Sequence, residues 1–369
     1  MINRLYTLFL SLFVSLVAYG QTAGTIASKD AMLYDSSRHL YEKGNKLTIV
    51  SKDLEWPKGL GGSVLTELQQ YLTAFFFGQA SDSYDAGWKL FESLQGKEVH
   101  AIKDDTGSKR RYYDMVLRCL WLEQGRYVSF LARLEERNET SVITQKYSYF
   151  TFDLINKKVL TQKDVFNQTR MWQDANIRSQ FCELLDYMAN THTADSIDWD
   201  HLPNQFALEG QNIRFDLGVD KSGGVYSDVT DDMVDVLFSK DFKRWMKLKV
   251  STEGNINLPM EAVYTTLPTD SVFPEVLPQF QGNVAAAIGQ SLSYTSITPE
   301  TTPVTKTFVS FIVNSDGSLK DITFLTVNNI ELNRAIAAAL QLLTGWKPAM
   351  HNGKPVACRY NLPLILHFQ

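Results

Sequence analysis

Leu65, Leu68, Leu72 and Phe76 recur every three to four residues, which predicts a helix capped by Ser63 and stopped by Gly78. A second helix is predicted over Ser83 to Leu94, with Tyr84, Trp88, Phe91 and Leu94 on one face and Gly96 just beyond. Its aromatic stripe at helical spacing reads as core rather than as a ligand box. A third helix is expected from about Thr169 to Ala189, striped by Ile177, Phe181, Leu184, Leu185 and Met188. A fourth runs over Asp231 to Leu248, capped by Thr230, with Leu237, Phe238, Phe242 and Trp245 inside. Between them the period changes to two. Lys46 to Val50 predicts a strand, and Tyr113, Met115, Leu117, Cys119 and Trp121 alternate. The chain turns at Glu123-Gln124-Gly125 and alternates back through Val128, Phe130, Ala132 and Leu134. Gln145 to Asp153 is a further strand, with Tyr147, Tyr149 and Thr151 on one side and Phe150 and Phe152 on the other. Phe206-Ala207-Leu208 and Ile213-Arg214-Phe215 flank Glu209-Gly210 as a hairpin, and Pro57 to Gly62 reads as a turn.

The last hundred residues carry the most ordered pattern. Asn283 caps a helix that buries Val284, Ile288 and Leu292. Thr307 to Val313 and Leu319 to Val327 form a hairpin around Asn314-Ser315-Asp316-Gly317. Asn328 or Asn329 caps a helix with Leu332, Ile336, Ala339, Leu340 and Leu343 on one face, and Gly345 stops it. After a turn at Asn352-Gly353, the final strand aligns Val356, Cys358, Tyr360, Leu362, Leu364 and Leu366. Pro363 lies inside that strand and cannot donate to a neighbour, so one side is an edge or a bulge. An edge can take a strand from a partner, or it can be shielded and bind nothing.

Ser251 to Val272 has few apolar residues and no periodicity, and it reads as a linker. The expected organisation is therefore a leader over 1–20, an N-terminal domain over 21–250, the linker over 251–272 and a C-terminal domain over 273–369. The expected class is α+β. An antiparallel-sheet domain with packed helices comes first, then a small domain of three antiparallel strands and two helices. Arg4, the apolar run Leu5 to Val17 and the small residues of Ala18-Tyr19-Gly20 fit a cleaved signal peptide. That run is short for a membrane span, which needs roughly 20 residues. Export to the periplasm is expected.

Charge and chemistry narrow the function further. A net charge of −5 argues against a general nucleic-acid surface. The 6 histidines are scattered, and the 3 cysteines (Cys119, Cys182 and Cys358) sit in apolar contexts without metal or C-x-x-C spacing, which suggests buried free thiols. No nucleophile elbow or phosphate loop is present, so no enzyme, metal or cofactor is expected. Asp316 falls in a turn and Asp321 on a strand face, so the two do not make an acid–base pair.

Two resemblances add to this. Phe150-Thr151-Phe152-Asp153-Leu154, Val159-Leu160-Thr161, Asp164-Val165-Phe166 and the hairpin Asn204 to Phe215 resemble the extracytoplasmic α/β domain of lysozyme-sensing anti-sigma factors and of some peptidoglycan deacetylases. Pro278-Gln279-Phe280-Gln281-Gly282, Phe311-Ile312-Val313, Asp316-Gly317-Ser318-Leu319, Trp346-Lys347-Pro348-Ala349, Asn352 to Val356 and Tyr360-Asn361-Leu362-Pro363-Leu364 resemble the C-terminal domain of TonB-type energy transducers. That resemblance implies recognition of a protein, such as an outer-membrane receptor segment, by strand pairing. It implies Val356, Cys358, Tyr360, Leu362, Pro363 and Leu364 as partner-binding residues. A transducer also needs a Pro-rich arm, whereas the 11 prolines here are scattered. The reading is an exported interaction protein of the cell envelope. A membrane-anchored energy transducer is the alternative, and a cell-wall or lysozyme sensor is the second.

Overall fold

The structure is a computed structural model and describes residues 31–60, 65–101, 109–167, 175–176, 206–210, 212–216, 224–228, 238–248, 263–265, 274–292, 304–326 and 329–367. The chain opens with β1 (Ala31–Lys43), β2 (Lys46–Gly59), α1 (Thr66–Phe77), α2 (Tyr84–Gln95) and β3 (Lys97–Glu98). Next come β4 (Lys109–Glu123), β5 (Tyr127–Asn138), β6 (Val142–Asp153), β7 (Lys158–Val159) and α3 (Gln162–Val165). β8 (Phe206–Glu209), β9 (Asn212–Asp216), β10 (Gly224–Asp228), α4 (Lys240–Met246), β11 (Val263–Thr265) and β12 (Gln279–Phe280) follow. The last part holds α5 (Val284–Leu292), β13 (Val304–Val313), β14 (Leu319–Phe324), α6 (Ile330–Leu342), β15 (Trp346–Lys347), β16 (Ala349–His351), β17 (Lys354–Val356) and β18 (Cys358–His367). The class is α+β with predominantly antiparallel pairing. Among the described residues no helix is long and apolar enough to cross a membrane.

Two compact units divide the chain. The first gathers the described residues of Met1–Asp35, Glu55–Val64 and Gly254–Gln369; the second gathers those of Ser36–Leu54 and Leu65–Glu253.

In the second unit Lys46–Leu54 runs parallel to Lys109–Leu117, and α1 and α2 lie in the connection. Parallel strands need such a crossover, and its two helices cover the sheet. Ser83 caps α2 by accepting from the Ala86 N–H, and Gly78 ends α1 at φ +79°. β4, β5 and β6 then form an antiparallel meander in which Phe130 faces Phe150 and Ser129 faces Thr151. The apolar positions lie under the helices: Tyr71 packs on Phe150 at 4.8 Å and Phe91 on Tyr113 at 5.3 Å between ring centroids. The small polar positions meet the β8–β9 hairpin on the other face. Thr151 Oγ1 accepts from Leu208 N at 2.9 Å, and Tyr127 Oη accepts from Gly210 N at 3.1 Å. Burial holds the Tyr127 phenol well above its ordinary pKa. Phe166 gathers Phe206, Phe215 and Phe238 into a cluster under the hairpin.

In the first unit the strand order is β11-β18-β13-β14-β1. Met32, Leu33 and Tyr34 pair with Phe324, Thr323 and Ile322, so the first strand of the chain closes the edge of β14. α5 and α6 bury Ala285, Ile288, Leu332, Ile336 and Leu340 with Phe308, Phe311 and Trp346. Burying each large apolar side chain stabilises the unit by roughly 1.5–3 kcal/mol. Gly317, at φ +84°, brings the β13–β14 turn against Trp346; a Cβ there would lie 2.5 Å from the Trp346 carbonyl oxygen.

Several expectations change. β1 was not foreseen, because its polar residues blur the alternation. Pro57-Lys58-Gly59 is strand rather than turn, since Glu55 and Lys58 find charged partners there. α1 starts at Thr66 with Leu65 at its N-cap, and Ser63 lies outside the described residues. α4 is capped by Ser239. Leu94 was expected inside and is 61% exposed, because α2 ends past the sheet-facing turn. The signal peptide, the helix near 169–189 apart from residues 175–176, Thr230 and Cys182 lie outside the described residues. Cys119 and Cys358 are buried. The stretch 273–369 holds β13, β14 and β18 with α5 and α6, but its unit extends to residues 31–35 and 55–60.

That extension is testable. A fragment of residues 273–369 leaves the edge of β14 unpaired and the apolar positions Ile322 and Phe324 uncovered by β1. It should self-associate in analytical ultracentrifugation and melt at least ~10 °C below the same unit in the full chain. A monomeric fragment of unchanged stability would refute the role of β1.

Candidate functional site at a strand edge

β18 pairs along its whole length with β13, from Val304 opposite His367 to Val313 opposite Cys358. Which groups remain for anything else follows from Phe308, the residue opposite Pro363. Its carbonyl accepts from Leu325 N at 2.8 Å and its N–H donates to Thr326 Oγ1 at 3.1 Å. Both main-chain groups of Phe308 therefore turn toward β14. The Phe308–Pro363 pair is then a non-hydrogen-bonded one, and the main chain of Pro363 turns away from β13. The missing N–H of Pro363 costs no ladder bond, which is why proline is tolerated there. By alternation the main-chain groups of Arg359, Asn361, Ile365 and His367 also turn outward. Those of Tyr360, Leu362 and Leu364 turn toward β13.

Part of this outer edge is occupied. Val263, Tyr264 and Thr265 pair with Asn361, Tyr360 and Arg359, so a segment expected to be linker forms an outer strand. Beyond Asn361 no strand lies on the outer side among the described residues. Among the described residues, none pairs with the Pro363 carbonyl or with the N–H and carbonyl groups of Ile365 and His367.

The side chains of the expected site divide differently. Cys358, Tyr360, Leu362 and Leu364 are buried and serve the core; Tyr360 lies 5.3 Å from Phe311 and 5.5 Å from Trp346 between ring centroids. Burial pushes the Cys358 thiol up to about 11. Val356 stands outside β18, opposite Ala349 in the β16–β17 hairpin. Only Pro363 of the six turns its main chain to the open edge. Ile365 and His367 are not among the six, although a two-residue step from Pro363 reaches both.

A bulge sets the opposite face of this sheet. Between the pairs Ser310–Thr323 and Ile312–Lys320 the register shifts, and Asp321 takes φ +54°. Asp is among the few non-glycine residues that enter this region readily. The bulge aims the Asp321 carboxylate at Lys58 Nζ, 2.5 Å away, and at the Arg359 guanidinium. Burial works to raise the Asp321 pKa, but the fields of Lys58 and Arg359 and their hydrogen bonds outweigh it and hold the carboxyl below its usual range. Asp316 stays in its turn, bonded to Ser318, away from any acid–base partner. Nearby, Arg334 grips Glu55 with two nitrogens, one at 3.0 Å, and reaches Glu331 at 2.7 Å. Among the described residues no three His, Cys, Asp or Glu side chains converge to hold a metal.

Comparison with known proteins shows little. No family model matches the chain, and no curated protein matches it. Among solved structures, a member of the DUF3298 family from Bacteroides fragilis is 14% identical, with a TM-score of 0.40 over 58% of this chain and 96% of that one. A DUF3298 family protein from Pseudomonas aeruginosa is 11% identical, with a TM-score of 0.34 over 60% of this chain and 97% of that one. Similarity of that degree carries no argument about function.

The Asp321 cluster gives a pH signature. Its folded-state pKa is depressed, so its contribution is present above the ordinary carboxylate range, near 4, and fades as pH falls through the lower folded value. Asp321→Asn leaves two half-buried cations unpaired and should cost roughly 2–4 kcal/mol at neutral pH. Urea melts at pH 7 and below pH 3 check this: the gap between wild type and variant should narrow in acid. A gap independent of pH would mean the carboxylate charge is not what matters.

Proposed function

We propose that this chain is an exported protein-interaction protein of the cell envelope, and that its first unit recruits an extended segment of a partner protein onto β18. The observation that carries this reading is the open row of main-chain groups from Pro363 to His367. It continues the line on which the chain's own Val263–Thr265 already pairs. Such a row binds an added strand through main-chain hydrogen bonds, with affinity from the backbone and selectivity from alternate side chains. The likeness of Trp346-Lys347-Pro348 and of the closing strand to TonB-type domains supports a protein partner, such as a receptor segment. The leader-like Met1 to Gly20 supports export to the periplasm.

The proline makes the proposed edge selective. The Pro363 carbonyl accepts, but no donor stands beside it, so an incoming strand that presents a lone acceptor there gains nothing. Five main-chain groups are few, which suits a transient contact rather than a permanent complex.

Ile365→Pro is the test. It deletes an outward N–H and leaves the bonds to β13 in place, whereas Leu364→Pro deletes one that points to β13. Photo-crosslinking in whole cells, with the crosslinker at Gln369 of the full chain, should capture a discrete envelope protein. Ile365→Pro should lower the yield at least tenfold with a melting temperature within ~3 °C of wild type. Leu364→Pro should lower the melting temperature itself. Equal capture by Ile365→Pro would remove strand addition as the mode. A mature N-terminus at Gln21 in the soluble periplasm is expected, and a retained leader in the inner membrane would instead favour an anchored transducer.

A further inference from the structure

The second unit holds a concentration of positive charge that its own folding does not explain. A cleft of about 380 Å3 opens where α2 ends over the starts of β2 and β4. Lys43, Lys46, Lys109, Arg110 and Arg111 line it, and among the described residues no acidic side chain does. The whole chain has a net charge of −5, so this is a local reversal of sign.

The strand register makes the concentration unavoidable. Lys46 stands directly opposite Lys109 in the parallel pair, and Thr48 opposite Arg111. Side chains two apart on one strand share a face, so Lys46, Lys109 and Arg111 project together. Like charges directly opposite in a sheet destabilise it. The fold offers limited relief. Lys43 Nζ donates to the Leu94 carbonyl at 3.3 Å, which accounts for one cation as a complement to the end of α2. Arg111 pairs with Glu136 at 2.5 Å, which accounts for a second. Lys46, Lys109 and Arg110 meet no acidic partner among the described residues. Gly96, at φ +120°, holds the end of α2 against β1; a Cβ there would lie 2.4 Å from the Glu42 carbonyl oxygen, so the cleft is built by close main-chain approach. At its rim Leu94 is 61% and Ile143 48% exposed, an apolar ledge beside the cations.

We propose that this cleft binds a phosphate monoester of a small organic molecule, with the phosphate between Lys46 and Lys109, Arg111 alongside, and the organic body on Leu94 and Ile143. A monoester carries about −1.5 to −2 charges at neutral pH, which answers a pair of opposed lysines better than a single carboxylate can. Guanidinium and ammonium donors are the usual partners of such oxygens. The volume suits a small ligand, for which clefts of roughly 300–1,000 Å3 are the norm. The site is independent of the β18 edge.

The full chain titrated with phenyl phosphate by calorimetry at low ionic strength is the test, with inorganic phosphate and benzoate beside it. Phenyl phosphate should bind saturably, inorganic phosphate about 5–10-fold more weakly without the apolar body, and benzoate weakest of the three. Lys46→Gln with Lys109→Gln should weaken phenyl phosphate at least tenfold. The same double variant should melt no lower than wild type without ligand, because it removes a like-charge pair. Phenyl phosphate should raise the melting temperature of wild type only. Equal affinity for inorganic phosphate would overturn the organic ester as ligand. Absence of saturable binding, or binding unchanged in the double variant, would overturn the site.

Discussion

The pairing of Met32–Tyr34 with Ile322–Phe324 is the contact on which the first unit depends. It joins residues nearly three hundred positions apart in sequence, so it forms only at a large cost in chain entropy. Three things offset that cost. Main-chain bonds cap an edge that would otherwise be open. Tyr34 stacks edge-on against Phe324 at 5.1 Å between ring centroids. Two ionic clamps, Lys58 with Asp321 of β14 and Glu55 with Arg334 of α6, fix the other early segment to the same unit. The consequence is that the C-terminal pattern, complete as it looks in sequence, is not a closed structure without the start of the chain.

Closing one edge decides which edge is left. β14 is covered by β1, and among the described residues β18 is covered by β11 as far as Asn361. The remaining exposed row begins at the one residue in β18 that cannot donate. Proline at an edge is a common defence against indiscriminate strand pairing. Here it lies at the boundary between the self-paired and the open part. A partner strand would begin against an acceptor and continue onto Ile365 and His367, while one that matched the whole edge would first have to displace Val263–Thr265.

Much of this architecture could be read from periodicity alone. The β4–β5–β6 meander, α2 with its Ser83 cap, the Asp316-Gly317 turn and α6 with its Asn329 cap all have local causes, in alternation, capping or positive φ. What could not be read has non-local causes. β1 is disguised because its polar residues stand where a strand's outer face should be, and its partners lie far away in sequence. The parallel pairing of β2 with β4 leaves no mark in a pattern of period two. The site itself was half legible: Pro363 announced an edge, but the buried face of Cys358, Tyr360, Leu362 and Leu364 was read as the interface. In a strand the same alternation that points side chains inward also turns alternate main-chain groups outward, and the two sets serve different partners.

Charge on β2 carries the last step. Lys52, Glu55 and Lys58 interrupt a strand that is otherwise largely buried, and each meets specific partners. Lys52 Nζ donates to Tyr84 Oη at 2.9 Å and sits 3.7 Å over the Trp88 ring; Glu55 takes Arg334; Lys58 takes Asp321. Buried ionic groups add little net stability, because desolvation offsets attraction. Their effect is on register. An apolar strand could slip by two residues and keep its faces, but β2 cannot, since a slip would strand all three charges without partners at several kcal/mol. Within the second unit the pairing of β2 with β4 brings Lys46 opposite Lys109 and accepts a repulsion there. Two lysines face to face cost the second unit some stability, and the anion proposed for the cleft would offset that cost.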